Sequence, residues 1–151
     1  MNIVIGSGYF DPLHPGHIDY IKKIVQQKTT FYIIVNNDKQ AELKKGKPFM
    51  NQQDRMTVVS SLEGVKPANV ILSIDEDTTV SKTIEYIVTV LRPLKGFVDH
   101  IYFVKGGDRK ADEIPEAEVC RRLGVTIVDK GFGDKIRHSS EYVGGNSEGT
   151  K

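Results

Sequence analysis

A chain of 151 residues with 21 Lys and Arg against 20 Asp and Glu carries a formal charge of +1, which fits one domain and no surface built to coat nucleic acid. That length buries about 70% of the surface its unfolded chain exposes, so the core needs no covalent staples. The lone Cys120 excludes an internal disulfide, no apolar run approaches the ~20 residues of a membrane span, and no basic, apolar leader opens the chain, so a cytoplasmic protein without nucleic-acid or membrane partners is expected.

In chain order, "NIVIG" (2–6), "TFYIIVN" (30–36), "NVILSI" (69–74), "HIYFVKG" (100–106) and "GVTIVDKG" (124–131) read as strands. They are apolar throughout rather than alternating, as strands covered on both faces must be. Helical patterns fall between them. "HIDYIKKIVQQ" puts Ile18, Ile21, Ile24 and Val25 on one stripe, and "NQQDRMTVVSSLEG" offers Asn51 as N-cap and Gly64 as stop. "TVSKTIEYIVTVLRP" must end before Pro93, and "IPEAEVCRRLG" stops at Gly124. In that last pattern Cys120 shares a stripe with Ala117 and Leu123, a core thiol with no base beside it. Strand and helix in alternation predict an α/β fold, Rossmann-like, with three layers and a five-stranded parallel sheet. Residues 1–143 form the domain, and the glycine-rich polar end "GGNSEGTK" (144–151) is expected to be a disordered tail.

Ligands of such sheets bind beyond the carboxyl ends of the strands, at the switch point. "FDPLHPGH" (10–17) stands there, after the first strand and at the start of a helix. Pro15 presets a first-turn φ, Gly16 lets a bulky group near the backbone, and the helix terminus adds N–H donors. His14 and His17, three apart, point the same way and can donate to one phosphate. Capping and packing, or a metal held with Asp11, are the alternatives, though no further cluster completes a metal shell.

"GYFDPLHPGHIDYI" resembles the first motif of the HxGH nucleotidyltransferase superfamily, the cytidylyl- and adenylyltransferases. "VNNDKQAELKKGKPFMNQQDRMTVVSSL" is similar to the family's basic loop and arginine-bearing helix, and "FVKGGDRKADEIPEAEVCRRLG" to the "KGGD" segment of heptose-1-phosphate adenylyltransferases. "HSSEYV" stands at the family's Ser-Thr signature; where members carry an arginine several residues earlier, this chain has Lys135 and Arg137.

The resemblance implies attack by a phosphorylated small molecule on the α-phosphorus of a nucleoside triphosphate, releasing pyrophosphate. His14, His17 and Lys45 become the catalytic residues. Tyr9, Phe10, Asp11, Gly16, Gly106, Gly107, Asp108, Ser139 and Ser140 become the nucleotide site, with Asp108 on ribose hydroxyls and the serines on the triphosphate. Asp38, Lys47 and Arg55 would bind the acceptor, Arg55 as a planar clamp on its phosphate. Each has a plainer reading: a solvated lysine run at Lys44, Lys45 and Lys47, a surface arginine, a glycine turn, an N-cap at the serines. His100 and His138 look incidental. Mg²⁺ is implied by the charge of the triphosphate and a homodimer by the family, with no metal ligand assigned. ATP is favoured over CTP and a sugar 1-phosphate over a polyol phosphate. CTP with glycerol 3-phosphate, or a nucleotide-binding module without turnover, are the rival readings.

Overall fold

Three consecutive residues of the first strand, Ile3, Val4 and Ile5, are all fully buried. Side chains alternate across a strand, so both faces of this one are covered. The computed structural model describes residues 1–94, 96–106 and 114–129. Gly107, Asp108, Lys135, Arg137, His138, Ser139, Ser140 and the 144–151 tail lie outside the described residues. The elements are β1 (Asn2–Gly8), α1 (Pro15–Val25), β2 (Thr30–Val35), α2 (Asp38–Lys45), α3 (Gln52–Ser60), β3 (Val70–Leu72), α4 (Ser81–Leu91), β4 (His100–Val104), α5 (Ala117–Leu123) and β5 (Thr126–Val128).

The strands form one parallel sheet in the order β3-β2-β1-β4-β5. Val4, Ile33 and Val104 share one core with Ile21 and Ile24 of α1 and Val59 of α3. Ile3, Ile5 and Ile34 share the opposite core with Ile84, Ile87 and Leu91 of α4 and Cys120 of α5. That is the expected three-layer Rossmann-like arrangement, and no helix among the described residues is long and apolar enough to cross a membrane. Cys120 is fully buried, and burial first, then the charge of Glu116, pushes its thiol up to about 12.

Helices α2 and α3 depart from the sequence reading. Residues 38–45 form a helix where a basic loop was expected. Its signal is a capping box: the Asn37 side chain accepts from the Gln40 N–H at 2.9 Å, and Gln40 Oε1 accepts from the Asn37 N–H at 2.9 Å. Helix α3 starts after Asn51, whose Oδ1 accepts from the Asp54 N–H, but it stops at Ser60 rather than running to Gly64.

The chain steps from β3 back across β1 to β4, so β1 and β4 part at the switch point. One hydroxyl fills that split. Tyr20 Oη accepts from the Ser7 N–H at 3.0 Å and donates to the Val104 carbonyl at 2.7 Å, and burial holds the phenol well above its ordinary pKa against the pull of Ser7. Gly6 makes room for it: a Cβ there would come within 2.9 Å of Tyr20 Oη and 2.6 Å of Ile24 Cδ1. Tyr20→Phe leaves two backbone groups unpaired inside the protein. It should lower stability by about 1–3 kcal/mol, read as a lower urea midpoint with an unchanged slope.

Candidate active site

The turn after β1 is built from the inside out. Phe10 takes φ of 51° and buries its ring to 1% exposure. It lies under Gly8, where a Cβ would meet the ring at 2.7 Å, and meets the His17 ring edge-on at 5.2 Å. Phe10 was expected to contact nucleotide; its ring is core, supporting His17 from below, while the residue borders the cavity on the histidine side described below.

His14 is the N-cap of α1, and the two imidazoles complete a reciprocal cap. His14 Nδ1 accepts from the Gly16 N–H at 3.1 Å, and His17 Nδ1 accepts from the His14 N–H at 3.3 Å. With Nδ1 accepting, the neutral tautomer of each ring carries its proton on Nε2. The rings stack at 3.6 Å and 24°. They are not equivalent. Burial, then the neighbouring His14, lower the pKa of His17, while a hydrogen bond with the Pro12 carbonyl opposes them. Gly16 leaves space for the His14 ring, which a Cβ would meet at 3.0 Å, so its N–H serves the cap rather than a ligand.

Arg55 is fully buried. Its Nε donates to the Met50 carbonyl at 2.9 Å, Nη1 to the carbonyls of Tyr9 at 2.9 Å and Asn36 at 2.6 Å, and Nη2 to Asp38 Oδ1 at 2.8 Å. The expected phosphate clamp is therefore corrected: the guanidinium is spent inside the protein. Asp38, expected at the acceptor, heads α2 as the partner of Arg55, with 32% of its side chain exposed.

Asp11 is likewise a tie. Its carboxylate, 0% exposed, accepts from the N–H groups of Met50 at 2.6 Å and Phe49 at 2.9 Å and pairs with Lys45 Nζ at 2.6 Å. Burial would raise its pKa, but Lys45 and the two N–H donors outweigh that and hold it below the ordinary value. Lys45 also donates to the Asp11 carbonyl at 2.9 Å, so the lysine expected in catalysis is engaged with Asp11. Lys47 is exposed beyond the end of α2 and lines neither of the cavities described next. Lys44 does the opposite. One residue away on the helix, it turns its ammonium to 4.5 Å from the centre of the Tyr9 ring.

Two cavities open at the switch point and share Ser7, Tyr9, Lys44 and Gly106. One, about 540 Å³, is edged by His14, His17 and Lys23. The other, about 500 Å³, is edged by Thr78, Phe103, Lys105, Ile114 and Glu116. Thr78 is held there by Gln40, whose Nε2 donates to the carbonyls of Asp77 and Thr79 at 2.6 and 2.7 Å. Below it the buried Asp75 accepts from the Lys82 N–H at 2.7 Å and the Thr83 N–H at 2.9 Å, capping α4 from outside. Ser7, Lys44, Thr78, Lys105 and Glu116 are the site residues that sequence reasoning did not select. The helical register of 38–45 would have separated Lys44 from Lys45; nothing local marks Thr78 or Glu116.

A family model described as cytidylyltransferase-like matches residues 5–137. The chain belongs to that family. A FAD synthase from Aciduliprofundum boonei is 31% identical over 148 residues, 98% of this chain and 85% of that protein. A D-beta-D-heptose 1-phosphate adenylyltransferase from Bordetella bronchiseptica is 33% identical over 129 residues, 83% of this chain and 70% of that one. The solved structure of a lipopolysaccharide core biosynthesis protein from Thermoplasma volcanium has the same fold, with a TM-score of 0.58, 24% identity, and coverage of 85% of this chain and 95% of that one. The cytidylyltransferase-like chain is an enzyme of nucleotidyltransferase type.

Two tests follow from this geometry. Arg55→Met should cost about 3–5 kcal/mol, toward the low end because Asp38 is partly solvated. Urea unfolding measures it; a residue that only clamps substrate would leave the midpoint unmoved and raise the acceptor KM. The second concerns pH. His17 holds its proton less tightly when folded than the 6.5 of a free histidine, so the unfolded chain protonates first. Its contribution to stability is complete above that value and is lost as pH falls through the folded one. His17→Asn should flatten the fall in melting temperature on acidification below pH about 6.5.

Proposed function

We propose that the enzyme transfers AMP from ATP to the phosphate of a small phosphorylated acceptor, a sugar 1-phosphate in the first instance, and releases pyrophosphate. The observation that carries this is the junction of the two cavities at Ser7, Tyr9, Lys44 and Gly106. The triphosphate takes the histidine side, at the α1 N-terminus, and the acceptor the lysine side. An acceptor phosphate oxygen forms the new bond to the α-phosphorus as the bond to the pyrophosphate oxygen breaks. A phosphate monoester has a second pKa near 6, so it is mostly a dianion at neutral pH and needs no base. The chain supplies alignment and donors for developing charge. His14 offers Nε2–H to the α-phosphoryl oxygens, and His17, hydrogen-bonded to the Pro12 carbonyl, backs that position.

By resemblance, Gly106, Gly107 and Asp108 flank the nucleoside, and Ser139 and Ser140 meet the triphosphate. Among the described residues no three His, Cys, Asp or Glu side chains converge to hold a metal. Mg²⁺, implied by the charge of the triphosphate, would travel on the triphosphate's own oxygens and neutralise them. Adenine is supported by two relatives whose names specify an adenylyl acceptor reaction or an adenine dinucleotide product. A flavin phosphate acceptor is the second reading, favoured by a likeness to FAD synthase over 98% of the chain.

A pyrophosphate-release assay with ATP or CTP against sugar 1-phosphates, glycerol 3-phosphate and FMN tests the assignment. His14→Ala should lower kcat by about 10²–10³ with the fold intact, and His17→Ala by a comparable factor. Near-normal turnover in both would remove the histidines from the mechanism. Release with CTP alone would overturn the choice of ATP.

A further inference from the structure

Past β3 the chain runs along the start of α2. Its carbonyls at Ser73, Asp75, Asp77 and Thr79, every second residue, accept from two side-chain amides there. Asn37 Nδ2 donates to the first two at 3.0 and 3.1 Å, and Gln40 Nε2 to the last two at 2.6 and 2.7 Å. Gln40 is fully buried, and its Oε1 accepts from Asn36 Nδ2 at 3.1 Å and the Asn37 N–H at 2.9 Å. Both protons and both lone pairs of its amide are therefore used. An apolar side chain would be easier to bury, but a fully satisfied buried amide fixes one placement of what it touches.

What it touches is one wall of a cavity. Thr78, between the two carbonyls, is exposed and lines the cavity of about 500 Å³ with Lys44, which stands about one turn further along Gln40's own helix. The far end of the segment is tied to the same cavity, because the Val80 N–H donates at 2.9 Å to Oε2 of Glu116, another lining residue. Helix α2 has other ties. The Gln40 N–H donates to Asn37 Oδ1 at 2.9 Å, Asp38 pairs with Arg55 at 2.8 Å, and Lys45 with Asp11 at 2.6 Å. Of the described residues that line the histidine-side cavity, none belongs to 73–80.

Resting on the acceptor reading above, we infer that Gln40, with Asn37 at the other end of the segment, is a positioning residue for the acceptor. The two amides set how far Thr78 and Glu116 stand from Lys44, and with that the fit of a phosphorylated acceptor. Gln40 does this without touching the acceptor, since it is fully buried. The histidine side, bounded by other segments, is not set by it.

Calorimetric titration of the whole chain with mannose 1-phosphate, riboflavin 5′-phosphate and, separately, ATP with Mg²⁺ tests this in two variants. Gln40→Met keeps the length and loses the amide. Asn37→Ser keeps an N-cap oxygen and loses the donors to Ser73 and Asp75. Both should melt lower than wild type, so titrations are run where circular dichroism shows each folded, and Asn37→Ser decides alone where Gln40→Met does not fold. The sugar or flavin phosphate that the wild type binds should bind each variant at least about tenfold more weakly, and ATP within about twofold of wild type. A residue that only holds the fold would move all the ligands together or none. In the wild type, hydrogen exchange over 76–80 should slow when that phosphate binds. Equal weakening for ATP, unchanged phosphate binding in the folded variants, no wild-type binding of either phosphate, or unchanged exchange over 76–80 would each overturn the inference. Pyrophosphate release is scored separately. Weakened phosphate binding in the variants, with no release by the wild type, would sink the transfer reading and leave this one standing. Release at the wild-type acceptor KM in both variants would do the reverse.

Discussion

One guanidinium organises the active edge of the sheet. Arg55 reaches from α3 to the carbonyls of Tyr9 and Asn36, the residues that follow β1 and β2, and to Met50 just before its own helix. Burying such a charge costs several kcal/mol unless hydrogen bonds and an opposite charge replace the lost water. Here three carbonyls and the Asp38 carboxylate do so. The result is that two strand ends and the helix that carries Lys44 are referred to a single planar group. A lysine could not do this, since an ammonium lacks the five directed donors of the fork.

Around that anchor the loops are tied by other polar groups rather than by apolar packing. Asp11 joins the histidine turn to residues 49 and 50, and Gln40 holds the 77–79 carbonyls beside the cavity. Loops that must leave room for ligands cannot fill their interior with side chains, so hydrogen bonds fix their course instead. Tyr20 and Gly6 serve the same end at the β1–β4 split, where the sheet's own ladder runs out.

What the sequence disclosed follows the same division. The strands and four of the five helices were legible because their apolar runs answer to local periodicity, as did the Asn51 cap and the Gly124 stop. The position of the His14 and His17 turn was legible because sheet topology dictates where ligands approach. Helix α2 was missed because its polar surface gives no apolar stripe, and only the Asn37–Gln40 box announces it. Arg55 and Asp11 were misread for a physical reason. Charged residue types suggest solvent or substrate, and burial of a charge beside its partner depends on contacts 17 to 46 residues apart, which no local pattern encodes. Tyr9 and Glu116 lie still further apart in sequence and line one cavity only once the chain is folded.

The same contrast separates alignment from charge at the site. The histidine turn is rigid from below: Phe10 is core, Gly16 and the His14 N–H close the cap, and stacking fixes the two rings against each other. Both Nε2 protons lie outside the cap; that of His17 goes to the Pro12 carbonyl, which leaves His14 Nε2–H as the preorganised donor, and such a donor spends nothing on reorganisation when charge develops. In the cavity proposed for the acceptor the cations, Lys44 and Lys105, stand on longer stems. Lys44 rests over an aromatic face, an attraction weak enough for a phosphate to outbid. In the proposed reaction a donor fixed on the histidine side and a lysine at the junction of the two cavities would serve in-line transfer, since the electrophile must be held still while the nucleophile is drawn up to it.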